Sequence, residues 1–86
     1  FVPELFKMAV YPNPASSFFY IEYELPINTE TAELKVFNGL GQLVHAEKLD
    51  RQNGLTAIGR NFQKGVYFAK ITTQNGAQKV IKLIKN

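Results

Sequence analysis

Eighty-six residues suffice for one small domain, since domains run to roughly 100–200 residues, and a two-lobed enzyme is excluded. A chain of this size buries only about 60–70% of its unfolded surface, so its 45% of hydrophobic residues must fill one thin core with little room for a pocket. Ten Lys plus Arg against seven Asp plus Glu leave a net charge of +3, a balance that weakly favours acidic partners.

With 20% charged residues and no cysteine, the composition is that of a globular domain without a disulfide framework or a thiolate metal site. No apolar run approaches the ~20 residues of a membrane-spanning helix, so no transmembrane segment is expected, and the start does not resemble a secretory signal. The chain opens on Phe1 rather than Met. We therefore expect a piece from the end of a longer polypeptide.

Residues 1–9 read as a linker, although Met8–Tyr11 is apolar up to the Pro12-Asn13-Pro14 stop, where the proline rings and the restriction on each preceding residue bar a helix. Ser17–Leu25 alternates, with Phe19, Ile21, Tyr23 and Leu25 on one side and Phe18, Tyr20, Glu22 and Glu24 on the other, the pattern of a half-buried strand. After Pro26 and a polar loop at Asn28–Thr31, alternation resumes at Ala32, Leu34 and Val36. Asn38-Gly39-Leu40-Gly41 tolerates positive φ and predicts a reversal into Gln42–Leu49.

Asp50–Gly54 reads as a second turn, marked by Asn53-Gly54, and Leu55–Ile58 as a short strand ending at Gly59. Val66–Thr73 is rich in branched and aromatic residues, and Asn75-Gly76 predicts a hairpin into Gln78–Lys85. In that last segment Val80, Ile81, Leu83 and Ile84 also fall on one helical arc, but eight residues are too few for a stable helix and Val and Ile favour strands. About seven strands with turn signals every 8–12 residues predict an all-β, immunoglobulin-like antiparallel sandwich in residues 10–86.

Chemistry is sparse. His45 is the only histidine and is expected on a solvent-facing strand position; Glu22 and Glu24 are expected as solvated neighbours, because an acid/base pair needs two different environments. Ser16 and Ser17 have only His45 as a conceivable base. Gly39-Leu40-Gly41 lacks the third glycine and following helix of a phosphate cradle. Lys64–Ile71 departs from an RNA-recognition strand at Val66, Tyr67 and Ile71, so no nucleic acid is expected and an RNA binder ranks third. Exposed rings at Phe18 and Tyr20 motivate the second reading, an accessory module that binds carbohydrate or acts as a spacer.

The final segment is the most informative: Lys79, Lys82 and Lys85 interleave with Val80, Ile81, Leu83 and Ile84, so the strand is expected as an exposed, lysine-bearing ribbon that a partner covers or that has its lysines at the core rim. Tyr11-Pro12-Asn13-Pro14-Ala15-Ser16, Leu34–Val44, Gly65-Val66-Tyr67-Phe68 and Lys79-Val80-Ile81-Lys82 come in an order that resembles the type A C-terminal sorting domain of the Bacteroidetes type IX secretion system, over residues 10–86.

The resemblance implies a secretion address for an N-terminal passenger protein, not a catalyst, with no cofactor. The passenger would traverse the periplasm, be recognised by the outer-membrane translocon and its shuttle protein, and reach the cell surface or medium. A sortase-like cysteine protease would usually remove the domain. By the same resemblance, Lys79, Val80, Ile81, Lys82, Leu83, Ile84, Lys85 and Asn86 are the translocon-recognition residues, and Pro12, Asn13, Pro14, Gly41, Gly65 and Tyr67 carry the family motifs. Asn61-Phe62-Gln63-Lys64 stands where a Leu-rich turn is frequent in the family.

Overall fold

A computed structural model describes residues 6–86. Seven strands run β1 (Lys7–Tyr11), β2 (Phe19–Glu24), β3 (Ala32–Asn38), β4 (Leu43–Leu49), β5 (Asn53–Ile58), β6 (Gly65–Thr73) and β7 (Gln78–Lys85), and the described residues form no helix. Two antiparallel sheets, β1-β2-β5 and β4-β3-β6-β7, bear out the expected sandwich. The fourth strand joins the larger sheet, unlike the constant immunoglobulin arrangement, where it lies with the other.

Alternation decides what each strand buries. Phe19, Ile21 and Tyr23 of β2 point inward against Leu34 and Val36 of β3, Ala69 and Ile71 of β6 and Leu83 of β7. The side-chain period of two sends Tyr20, Glu22, Lys35 and Phe68 to the outer faces. At roughly 1.5–3 kcal/mol for each large apolar side chain buried, this one cluster supplies the main force that holds the two sheets together.

The structure differs from the reading of the sequence in three places. Lys7–Ala9, expected in the linker, are paired with Glu24, Tyr23 and Glu22 in β1; residues 1–5 of that linker lie outside the described residues. Asn53 and Gly54 are not a turn but the first residues of β5, opposite Glu24 and Tyr23. Gly54 is needed there because a Cβ would stand 2.7 Å from the Tyr23 hydroxyl; the bend lies upstream at Arg51 and Gln52, and Leu25 N–H donates to Gln52 C=O at 2.7 Å, continuing the β2–β5 pairing. His45 pairs with Val36 in the inward phase of β4 and lies half-buried rather than facing solvent.

Gly59 ends β5 with φ +87°, and a Cβ there would meet ring carbons of Phe19 at 3.0 Å and Phe62 at 3.1 Å. Left-handed backbone and ring contact both oppose a side chain. Gly59→Ala is expected to lower unfolding stability by about 1–3 kcal/mol, as a reduced urea midpoint at unchanged slope.

Burial pushes the Tyr23 phenol above its ordinary value, assisted by Glu47 and Asp50 and opposed by Arg51. The folded state thus holds this proton more tightly than the unfolded chain, and stability present below about pH 10 is lost as pH rises past it. In alkaline titrations followed by chemical unfolding, Tyr23→Phe is expected to flatten this loss relative to the parent chain.

Candidate functional site

The terminal strand β7 lies at the edge of the larger sheet, paired with β6 from Gly65↔Lys85 to Thr72↔Gln78. Its alternation divides the predicted recognition residues into two sets. Leu83 and Lys85 are buried and Ile81 is half-buried, while Val80, Lys82, Ile84 and Asn86 are exposed. Lys79, though in the inward phase, sits at the sandwich margin with its ammonium 5.9 Å from the Phe6 ring centroid.

The expectation of an exposed, lysine-bearing ribbon is corrected at Lys85, which is only 6% exposed. Its ammonium donates to the carbonyls of Ser17 and Gly59 and, at 3.4 Å, of Arg60. A buried ammonium is tolerated only when its protons find acceptors; here the β5–β6 corner and the segment before β2 converge on it.

The outer edge of β7 is closed in part by the chain itself. Asn13 Nδ2 donates to Lys82 C=O at 2.9 Å, and Ile84 N–H donates to Asn13 Oδ1 at 3.0 Å. Ala15 N–H donates to Ile84 C=O at 2.9 Å, and Asn86 N–H to Ala15 C=O at 2.8 Å, forming a parallel bridge between Ala15 and Lys85. Both prolines beside Asn13 follow cis peptide bonds, and neither has an N–H to contribute. Asn13 uses its side-chain amide where a neighbouring strand would use its backbone.

The remaining motif residues gather at the same end. Gly65, at φ +151°, begins β6 opposite Lys85. Tyr67 is buried and donates its hydroxyl to Gln63 C=O at 2.7 Å, with its ring stacked on Phe62 at 4.5 Å between centroids. This backward bond across the β5–β6 corner has the geometry of a tyrosine corner. Gly41, at φ +84°, lies in the β3–β4 turn, where Asn38 Oδ1 accepts from Leu40 N–H at 2.9 Å and Gln42 N–H at 3.0 Å; the neighbouring Gly39 brings that turn against Val66 of β6.

Elsewhere the geometry offers little chemistry. An open cleft of about 570 Å³ between β4 and β5 includes Phe18, His45 and Arg60. There His45 Nε2 lies 3.0 Å from Glu47 Oε1, and Thr56 donates to both Glu47 oxygens at 3.1 Å. Among the described residues no three metal-ligating side chains converge. Ser17 meets Lys85 through its carbonyl rather than its hydroxyl. On the outer face of the smaller sheet, Tyr20 meets Tyr11 at 45° and Phe18 at 84°, so these rings form no coplanar platform for a sugar. Arg60 lies 5.1 Å from the Phe18 ring centroid.

Sequence reasoning missed the clamp and the ammonium cage. The phase of β7 was a signal for the second, since Lys85 alternates with the inward residues Leu83 and Ile81. No local signal marks Ser17, Gly59 or Arg60, whose backbone carbonyls alone take part.

Loss of the Lys85 cage is expected to lower stability by about 1.5–3 kcal/mol in Lys85→Met, the range for hydrogen bonds to a charged group, measured by urea unfolding. Asn13→Asp keeps the acceptor for Ile84 but sets a carboxylate against Lys82 C=O. In that variant, hydrogen exchange is expected to accelerate at Ile84 and Asn86 while the Leu34 and Ile71 amides remain protected.

The model of one protein family, described as "Secretion system C-terminal sorting domain", matches residues 9–86. The chain is also similar to the protein named ulvan lyase NLR42 from Nonlabens ulvanivorans, with 29% identity over 83 residues that make up 96% of this chain but 15% of that protein. No solved structure matches it.

Proposed function

We propose the following route of export on the ground that this chain belongs to the secretion system C-terminal sorting domain family and is a C-terminal secretion signal of the type IX kind. The family is one of sorting signals rather than catalysts, and such a signal implies an attached N-terminal passenger delivered to the cell surface or medium. The passenger passes through the periplasm, and the outer-membrane translocon and its shuttle protein read the folded domain. A sortase-like cysteine protease then separates the domain from the passenger.

The terminal strand and the residues clamped to it form the element that is read. The observation that supports this assignment is convergence: Pro12–Pro14, Gly65, Tyr67 and the end of the terminal strand, Lys82–Asn86, meet at one end of the sandwich through hydrogen bonds and strand register. That the relative from Nonlabens ulvanivorans is matched over only 15% of its length accords with a small address attached to a larger protein.

In a bacterium that carries this system, a periplasmic reporter fused ahead of residues 1–86 is expected at the cell surface or in the medium. Deletion of Lys82–Asn86 is expected to leave it in the periplasm. Delivery undiminished by the deletion, measured by fractionation and surface proteolysis, would rule out the terminal strand as the recognised element.

A further inference from the structure

The outer face of the larger sheet is the part of the molecule whose composition the core does not explain. Among the described residues, Leu43, Val66, Phe68, Val80 and Ile84 are exposed large hydrophobic side chains on this face, with Leu40 at the adjoining turn. On the outer face of the smaller sheet, Tyr11, Tyr20 and Leu55 have that standing. Charge is divided as unevenly. Lys35, Lys48, Lys70 and Lys82 share the larger face with one carboxylate, Glu33, whereas Lys7 shares the smaller face with Glu22 and Glu24.

Register sorts these side chains into rows that cross the strands. Leu43, Phe37, Phe68 and Lys82 are successive neighbours in one row. The next holds Ala46, Lys35, Lys70 and Val80, about 6.6 Å further along the strands. An apolar row thus lies beside a basic one, and they are tied together where the Lys70 ammonium stands 5.6 Å from the Phe37 ring centroid. The exposed side chains of β7 enter both rows, so the available part of the terminal strand is continuous with β3, β4 and β6.

Resting on the sorting function above, we infer that this face is a docking surface for a protein segment of the export machinery that presents apolar side chains beside carboxylates. Charge complementarity selects the occupant: apolar groups of the segment cover the row of Leu43, Phe37 and Phe68, and its carboxylates meet Lys35, Lys70 and Lys82. The placement of the lysines favours a protein over a lipid surface. They lie within the patch, Lys82 at the end of the aromatic row and Lys35 and Lys70 in the row beside it, and the two rows are spaced as alternate residues of an extended segment. Exposed apolar patches of this kind mark interaction sites, and matched charges set the partner and the rate of encounter.

The test uses the 86-residue chain, isotopically labelled for NMR, and the same chain behind the reporter passenger. The probe is a synthetic peptide in which Glu alternates with Val and Leu. It is expected to shift amide signals of β3, β6 and β7, with an affinity that falls as salt rises. In Lys35→Glu/Lys70→Glu/Lys82→Glu, peptide affinity and surface delivery are both expected to fall about tenfold or more. Tyr20→Ser and Leu55→Ser, on the opposite face, are expected to change neither.

Thermal melts establish that each variant is folded; should the triple variant not be, Phe68→Ser decides in its place, with the same expected losses. Normal delivery by these variants, while deletion of Lys82–Asn86 still stops export, overturns the docking surface and leaves the sorting function standing. Export that survives removal of all 86 residues removes the sorting function and the proposal with it. Binding to vesicles of anionic phospholipid without any peptide-induced shift would make the face a membrane contact and overturn the proposal.

Discussion

The hold on the terminal strand from two directions is the constraint on which the rest of this molecule depends. Asn13 and Ala15 satisfy the outer backbone groups of Lys82, Ile84 and Asn86, and the Lys85 ammonium enters the fold to bind carbonyls of Ser17, Gly59 and Arg60. An unpaired edge is an invitation to indiscriminate pairing, and here the chain closes much of that edge with its own residues. The native last strand is thus held both by its hairpin partner β6 and by segments about seventy positions away.

That dependence bears on how a sorting signal can work. A linear tail could present all eight of its last residues, but this strand presents Val80, Lys82 and Ile84 outward and retains Leu83 and Lys85 within. The exposed set acquires its neighbours, Phe68 and Lys70 among them, from β6. The outward side of the terminal strand is therefore part of a sheet face whose composition is assembled from four strands. In the core that holds the strand, Phe19, Ile21, Leu34, Ile71 and Leu83 are all fully buried.

Much of the architecture was legible from periodicity. Alternation placed Phe19, Ile21 and Tyr23 inside and Phe18, Tyr20, Glu22 and Glu24 outside, and Asn75-Gly76 located the β6–β7 hairpin, because side-chain period and turn chemistry are local properties. Asn53-Gly54 misled for an instructive reason: glycine there serves a neighbour's bulk, making space for Tyr23 across the sheet, rather than a turn. His45 misled similarly, since its half-buried position follows from register with Val36, and register depends on the β-bulge in the β3–β4 pair.

By itself, the order of residues determined the all-β class, the two hairpins, the absence of a thiol framework and the family, since each rests on spacing, composition or motif order along the chain. Only the tertiary structure decided that Asn13 acts as a surrogate strand, that Lys85 is a buried cation and that Tyr67 braces a corner. Those roles fall to backbone carbonyls and amides, far off in sequence for Asn13 and Lys85 and four residues upstream for Tyr67, and a backbone group carries no residue identity by which it could be recognised before the chain is folded.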